Sequence, residues 1–380
     1  MKRATQPTSA LATLFLLGSS LALIPGCPRD DGEGDGGTDA GIECTPMTVE
    51  DDCQLDDGDP CTEAACIEGA CVLVRRPAAM ERIVTHVPAQ PIEALEYHWG
   101  RLLLAEGPDG VGEYRVSIDP TSTTVTERVR YPTTGPAKSL RALNGHVLVS
   151  EGETGLEVFA DGNPDAESLY LGPDPITGSA MIDTTVIAFA YAKGLDFVDY
   201  AAWTAPAPQI TVDTRGRAFD AIGWNDLILV ADGLAGVAVV DFTDRANPVL
   251  RPEPLIRTEG RVVALRRRGN LLGVAESGAG AGLFDLGASG GPARLLSMDL
   301  GGPVVDVDVM SRNTVLFAAS DGGLTILDLL DPENPVVWIR EVPEGPVLDI
   351  YRSGEQVALA MGDAGVAIYD LKCTPPDPTP

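Results

Sequence analysis

The sequence is short of aromatic residues, of histidine and of positive charge, and each shortage removes a class of function. Phe, Trp and Tyr make up 5% of the 380 residues, and His occurs three times. His86, His98 and His146 recur at no fixed spacing, no HExxH is present, and no GxSxG stands at a strand-to-helix turn. Zinc-hydrolase and serine-hydrolase chemistry therefore have no motif to rest on. Trp99, Trp203, Trp224 and Trp338 are not periodic either, so no aromatic set for stacking a sugar or quinone is evident. The chain has 27 bases against 56 acids, a net charge of −29. Such a surface repels phosphate backbones and argues against a nucleic-acid partner. Long helix-forming runs are also missing, whereas Gly (42) and Pro (30) are abundant. That balance favours many short strands joined by turns.

At the amino terminus, Lys2 and Arg3 precede the apolar run "LATLFLLGSSLALIPG" (11–26), which is short for a membrane span and flanked as a signal peptide is. The run ends in "LIPGC", with small Gly26 before Cys27. This resembles the lipobox of bacterial lipoproteins, in which the Cys is diacylated and becomes the new first residue. Ile24 suits that pattern, and Pro25 departs from it. The resemblance implies a lipoprotein signal peptide over 1–26, lipidation at Cys27, and a lipid-anchored place in the bacterial cell envelope. The body would sit at the outer membrane, facing either periplasm or exterior. Cleavage after "SLA" (20–22) is the rival and would free the protein as a secreted one. Cysteine arithmetic bears on the choice. Seven Cys would strand one thiol in an oxidising compartment; giving Cys27 to lipid leaves Cys44, Cys53, Cys61, Cys66, Cys71 and Cys373.

Residues 27–43 are Gly- and Asp-rich with nothing to seed a core, and read as an acidic tether. Its acids lack the offsets and the closing Glu of a calcium loop. Residues 44–72 hold four Cys within 19 residues (53, 61, 66 and 71), too little chain to enclose a core, so disulfides must supply stability. Zinc is the alternative, but no CxxC pair or nearby His supports it. The string "DCQLDDGDPCTEAACIEGAC" resembles the small Cys-rich repeat of myxobacterial surface and secreted proteins, which implies an envelope module of no stated activity.

From residue 80 a single pattern recurs: Gly, apolar, any, apolar, apolar, then usually Asp. "GVGEYR", "GLEVFA", "GLDFVD", "GVAVVD", "GAGLFD", "GLTILD" and "GVAIYD" begin at Gly110, 155, 194, 236, 280, 323 and 365, spaced by 39 to 45 residues. A period near 42 built of short β-branched runs predicts four strands per repeat. The fold class expected is all-β: a seven-bladed β-propeller over 80–373, preceded by the disulfide module and followed by a Pro-rich tail, 374–380. In the fourth repeat the strands are expected at 217–224 (a), 226–232 (b), 237–242 (c) and 250–258 (d). The last repeat stops after strand c, and "ERIVTHV" (81–87) is placed to supply its missing strand d. That brings Cys373 near the disulfide module and makes Cys44–Cys373 the clasp expected among 15 pairings. The strings "VVDFTDRANPV" (239–249) and "ILDLLDPENPV" (326–336) resemble the LVIVD-repeat propellers of bacterial surfaces. The resemblance implies a propeller at the envelope and carries over no functional residue.

The repeat-ending acids Asp199, Asp241, Asp285, Asp328 and Asp370, with Asp244 and Asp331 before Asn-Pro, read as turn residues that accept backbone N–H groups. Glu106, Glu151, Asp232 and Glu276 are different. They follow strand b at equivalent places, with Asp321 and Asp363 one residue further, and could ring the channel mouth as a Ca²⁺ site or form a solvated acidic rim. Lys138, Arg215, Arg217 and Arg261 in the d–a loops could neutralise such a ring. No catalytic constellation and no cofactor site is found. The function expected is a monomeric envelope lipoprotein, held to the membrane by its lipid, whose propeller binds or scaffolds a protein or cell-surface ligand. The alternative is a Ca²⁺-dependent propeller hydrolase or lyase. His98 and His146, in a–b turns, would lie on the face away from its acids.

Overall fold

The computed structural model describes residues 59–373 and Leu55, apart from 120–121, 144, 173, 183–184, 191–193 and 200–207, and without side-chain placement at 177, 181–182, 185–190, 199 and 208–209. Cys27, Cys44, Cys53, the signal peptide, the tether, Trp203 and the tail lie outside the described residues.

Strand b shows why the sequence folds as it does. "LILVA" (Leu227–Ala231) is apolar, rich in branched side chains, and bounded by Asn225-Asp226 before and Asp232-Gly233 after. Its last four residues are all fully buried, and the same profile recurs in Arg101–Ala105, His146–Ser150, Leu271–Ala275 and Gln356–Ala360. Both faces of each strand are dry because each sheet packs between two others, which a helix-period pattern would not allow. The described residues form seven four-stranded antiparallel sheets and one two-stranded hairpin. Sheets 1 to 7 are numbered here in the chain order of their innermost strands. These strands (a) are Ala94–His98, Ser139–Leu143, Ile176–Ile182, Asp220–Trp224, Ala264–Arg268, Val304–Val309 and Asp349–Ser353. Each touches strand a of the next sheet, and the last touches the first, so they surround a channel in a β-propeller arrangement. The d–a and b–c loops lie on one face of the ring, and the a–b and c–d turns on the other.

The outer strand of sheet 7 comes from the start of the propeller. Ala78–His86 pairs with Val366–Cys373, from His86 opposite Val366 to Ala78 opposite Cys373. This removes an exposed edge, as the truncated last repeat requires. Sheet 4 departs from expectation at strand d, which shrinks from 250–258 to Val249–Leu250. Pro252 and Pro254 have no N–H to give to the ladder, so beyond Leu250 the pairing thins to Arg251 N–H on the Val239 carbonyl, Leu255 N–H on the Val237 carbonyl and an isolated bridge in which Val237 N–H donates to the Ile256 carbonyl.

The disulfide clasp is also different from the one expected. Cys373 is bonded to Cys61, not Cys44, at a Cα–Cα distance of 5.2 Å. The register explains it. Ala78 lies opposite Cys373, and just upstream Arg76 N–H donates to the Cys61 carbonyl (2.8 Å), so Cys61 is brought alongside. Cys66 and Cys71 face each other in the hairpin Thr62–Ile67/Ala70–Arg75, and both are disulfide-bonded. This module is docked onto sheet 6. The buried Asp59 carboxylate accepts from Cys61 N (2.9 Å), Arg75 (2.7 Å), Ser311 Oγ (3.2 Å) and the Thr314 hydroxyl. Burial works to raise the pKa of Asp59, but the Thr314 and Arg75 hydrogen bonds outweigh it and hold the carboxyl below its usual range. Arg75 also reaches Asp328 (2.7 Å) and lies 4.6 Å over the Trp338 ring.

Candidate functional site

The four carboxylates expected at the channel mouth are neither a shared site nor a solvated rim. Glu106, Glu151, Asp232 and Glu276 are each at most 2% exposed, and each binds within its own sheet or the loop leading into it. Glu106 accepts from Tyr114 Oη (2.6 Å) and Arg130 (3.0 Å), which come from strands c and d of the same sheet. Glu276 pairs with Arg294 (3.0 Å) and accepts from Glu259 N (3.3 Å). Asp232 accepts from Arg215 N (3.1 Å) and Gly216 N (2.9 Å), and Glu151 from Gly135 N (2.5 Å). Burial and the neighbouring Glu157 push the Glu151 carboxyl up to about 8. Among the described residues no three His, Cys, Asp or Glu gather where they could hold a metal ion. Asp321 and Asp363 are exposed.

The d–a loop bases do not form a neutralising set around them. Lys138 pairs with Glu93 (2.5 Å), while Arg217 and Arg261 lie over the Phe219 ring at 4.7 and 6.0 Å. Asp241, Asp244, Asp285, Asp328 and Asp331 accept turn amides two residues on, as their place before the turn predicts. Side-chain hydrogen bonds from Thr243 and Asn247 hold Asp241 and Asp244 below the usual carboxylate range. His98 contacts Tyr351 and His146 lies 3.1 Å from Glu167, both at the a–b face.

The titratable groups that do converge are on strand a, which sequence reasoning passed over. Asp220, Asp306 and Asp349 hold the same place in sheets 4, 6 and 7: each pairs with the strand-b alanine Ala231, Ala318 or Ala360. All three line a cavity of about 190 Å³ at the d–a mouth, with Phe219 and exposed Leu348 at its rim. Two residues deeper, Glu96, Arg141, Arg266, Asp308 and Tyr351 line a second cavity of about 380 Å³.

These acids reach across the gaps between sheets. Asp220 accepts from Leu265 N (2.9 Å) and Arg266 (2.6 Å), Asp306 from Ile350 N (3.3 Å), Asp349 from Leu95 N (2.9 Å), and Glu96 from Ala142 N (2.7 Å). Arg266 also lies 3.9 Å from Asp306, and Arg352 is 2.5 Å from Asp308. Burial, then the charge and hydrogen bond of Asp306, push the Asp349 carboxyl well above its usual range. Burial also raises Glu96. Lining the channel, the acids Glu96, Asp220, Asp306, Asp308 and Asp349 face the bases Arg141, Arg266 and Arg352. The available signal was the recurrence of an acid at one equivalent position near the start of strand a, at 220, 306 and 349.

No family model matches the chain, and no curated protein matches it. Among solved structures it is similar to the WD40 repeats of RRP9, with a TM-score of 0.61 and 10% identity over 78% of this chain and 99% of that one. It is also similar to U3-55K (0.60, 9%, 77% and 98%) and to the computationally designed Ika8 protein (0.55, 11%, 76% and 99%). At such identities the likeness carries the fold alone. The chain is a β-propeller protein.

Proposed function

We propose that this is a cell-envelope lipoprotein whose seven sheets are the blades of one closed disc, used as a binding platform. Its partner is a protein or cell-surface ligand that places a cationic side chain in the d–a mouth of the channel. The observation that carries this reading is the Asp306–Asp349 pair, open to a cavity and rimmed by exposed Leu348. An incoming guanidinium would displace the proton favoured on the raised Asp349 carboxyl and pair with both carboxylates, the geometry arginine suits. The envelope assignment is supported by the lipobox-like "LIPGC" and by Cys61, Cys66, Cys71 and Cys373, all in disulfides as in chains exported to an oxidising compartment. The LVIVD-like strings agree with it. The hydrolase reading loses ground because the acids it would use are tied into separate sheets.

Mass spectrometry of the native amino terminus tests the anchor. A mature chain beginning at diacylated Cys27 is expected, and one beginning elsewhere with Cys27 unmodified overturns it. Calorimetric titration with L-argininamide tests the mouth. Saturable binding is expected, and no heat up to millimolar ligand counts against it.

A further inference from the structure

The a–b face of sheet 1 carries the most exposed large apolar side chain among the described residues: Trp99, 90% exposed. Its backbone is left-handed (φ +48°), followed by Gly100 at φ +80°. This is an unusual conformation for a bulky residue. It is fixed from two sides, by Trp99 N–H to Ser353 Oγ of sheet 7 (3.4 Å) and by Val116 N–H to the Gly100 carbonyl (2.7 Å). A Cβ at position 100 would lie 2.7 Å from the Val116 carbonyl oxygen, so the turn sits tightly under strand c.

Beside it, the outer hairpin of sheet 1 overhangs. Strands Val111–Asp119 and Ser122–Tyr131 are 9 and 10 residues long and stay paired down to Asp119 opposite Ser122, whereas strand c of sheets 2, 4 and 5 has 5 residues. The overhang presents Ile118, 48% exposed, with Arg115 and Arg128, both exposed. Neither arginine has an ion-pair partner among the described residues, although the chain is strongly acidic. Trp99, Ile118 and these arginines line a groove of about 300 Å³.

The same face receives the amino-terminal part of the chain. Asp59 is held at the a–b turn of sheet 6 through Ser311, and Cys61 is bonded to Cys373 at the end of strand c of sheet 7. Two residues before Cys373, Leu371 N donates to Glu355 O in the a–b turn that also holds Ser353 (2.8 Å). Asp59 and Cys61 therefore join the ring at the face where Trp99 stands, on sheets 6 and 7, the second of which adjoins the sheet of Trp99.

We propose that this patch is a membrane-contact site, in which the Trp99 ring and Ile118 enter the interface of a phospholipid surface and Arg115 and Arg128 meet its phosphates. An indole is suited to that depth, apolar in body and polar at its N–H. Unpaired arginines supply the local positive charge an acidic protein needs to approach anionic headgroups. A chain that enters the ring on this same face, at Asp59 and Cys61, raises the effective concentration of a surface to which its amino terminus is anchored, so a weak contact suffices. The d–a mouth is then turned outward, toward a partner. The direction of the membrane rests on the lipoprotein reading, but the contact can be tested without it.

For that test, residues 1–26 are replaced by a hexahistidine tag and Cys27 by serine. The chain is captured on vesicles of phosphatidylethanolamine and phosphatidylglycerol doped with nickel-chelating lipid, and tryptophan fluorescence is read with brominated acyl chains as quencher. The parent chain is expected to be quenched. Trp99→Phe should lose most of that quenching, and Arg115→Gln with Arg128→Gln at least half. Trp338, covered by Arg75, serves as internal control for folding. Equal quenching in Trp99→Phe, no quenching in the parent, or a dimer that dissociates on Trp99→Phe would overturn the proposal. An unacylated Cys27 in the native chain would refute the anchor and leave this readout standing.

Discussion

The acids at the ends of strand b and the acids in the channel are set out by the same repeat, yet they bind in different directions. Glu106 and Glu276 point into their own sheets, where Arg130 and Arg294 meet them. Asp220, Asp306 and Asp349 reach forward to the next sheet and still face an open cavity. A periodic carboxylate is therefore not a site by virtue of its period. What matters is whether its oxygens are already bonded inside one sheet or remain within reach of something entering from outside.

Substitutions that act on one set and spare the other break or sharpen this contrast. The largest effect is expected from Glu106→Ala, which leaves Arg130 without its buried partner and Tyr114 Oη without its acceptor. Arg130 is a third exposed and keeps Glu127 (2.8 Å), so the cost is mainly that of the buried Tyr114 hydroxyl left unsatisfied, roughly 1–3 kcal/mol. It should lower the urea midpoint at unchanged slope, with argininamide affinity per folded molecule unaltered.

A smaller loss, of a different kind, is expected from Asp306→Asn combined with Asp349→Asn. Asparagine keeps an oxygen for Ile350 N and Leu95 N, so stability at neutral pH should change by less than about 1 kcal/mol. Argininamide affinity should fall at least about tenfold, or roughly 1.4 kcal/mol. In the parent, that affinity should rise as pH climbs through the raised range of Asp349, because the ligand competes with the proton that carboxyl holds.

Glu151→Gln gives the smallest change, and a gain. A carboxyl raised in the fold from 4.5 to about 8 contributes stability that is fully present below its unfolded value and is lost as pH rises through the folded one. The variant should match the parent near pH 4 and exceed it near pH 9 by about 1 kcal/mol, read as a rise in Tm of roughly 2–4 °C.

Much of the fold was legible because propellers repeat their punctuation. The Gly before strand c recurs where the backbone needs a left-handed residue: Gly236 has φ +87°, and a Cβ there would lie 2.3 Å from the Ile256 carbonyl oxygen. The outer strand drawn from 81–87 could be read from the incomplete last repeat. The clasp could not, since choosing Cys61 over Cys44 depends on Ala78 lying opposite Cys373. The burial of Glu106 and Glu276 was hidden because their partners Arg130 and Arg294 lie on strand d, 24 and 18 residues away. The channel was hidden because the strand-a position equivalent to Asp220 holds Ala94, Ser139, Gly178 and Ala264 in four sheets and Asp only in the others. An acid present in three sheets of seven leaves no unbroken period to read.

The most direct test is a calorimetric titration of L-argininamide into the parent, the Asp306→Asn/Asp349→Asn variant and Glu276→Gln, each in two buffers of different ionisation enthalpy. Saturable binding with proton release is predicted in the parent and in Glu276→Gln, and its loss in the double variant. Equal binding by the double variant, or a loss confined to Glu276→Gln, would contradict the assignment of the channel carboxylates as the binding set.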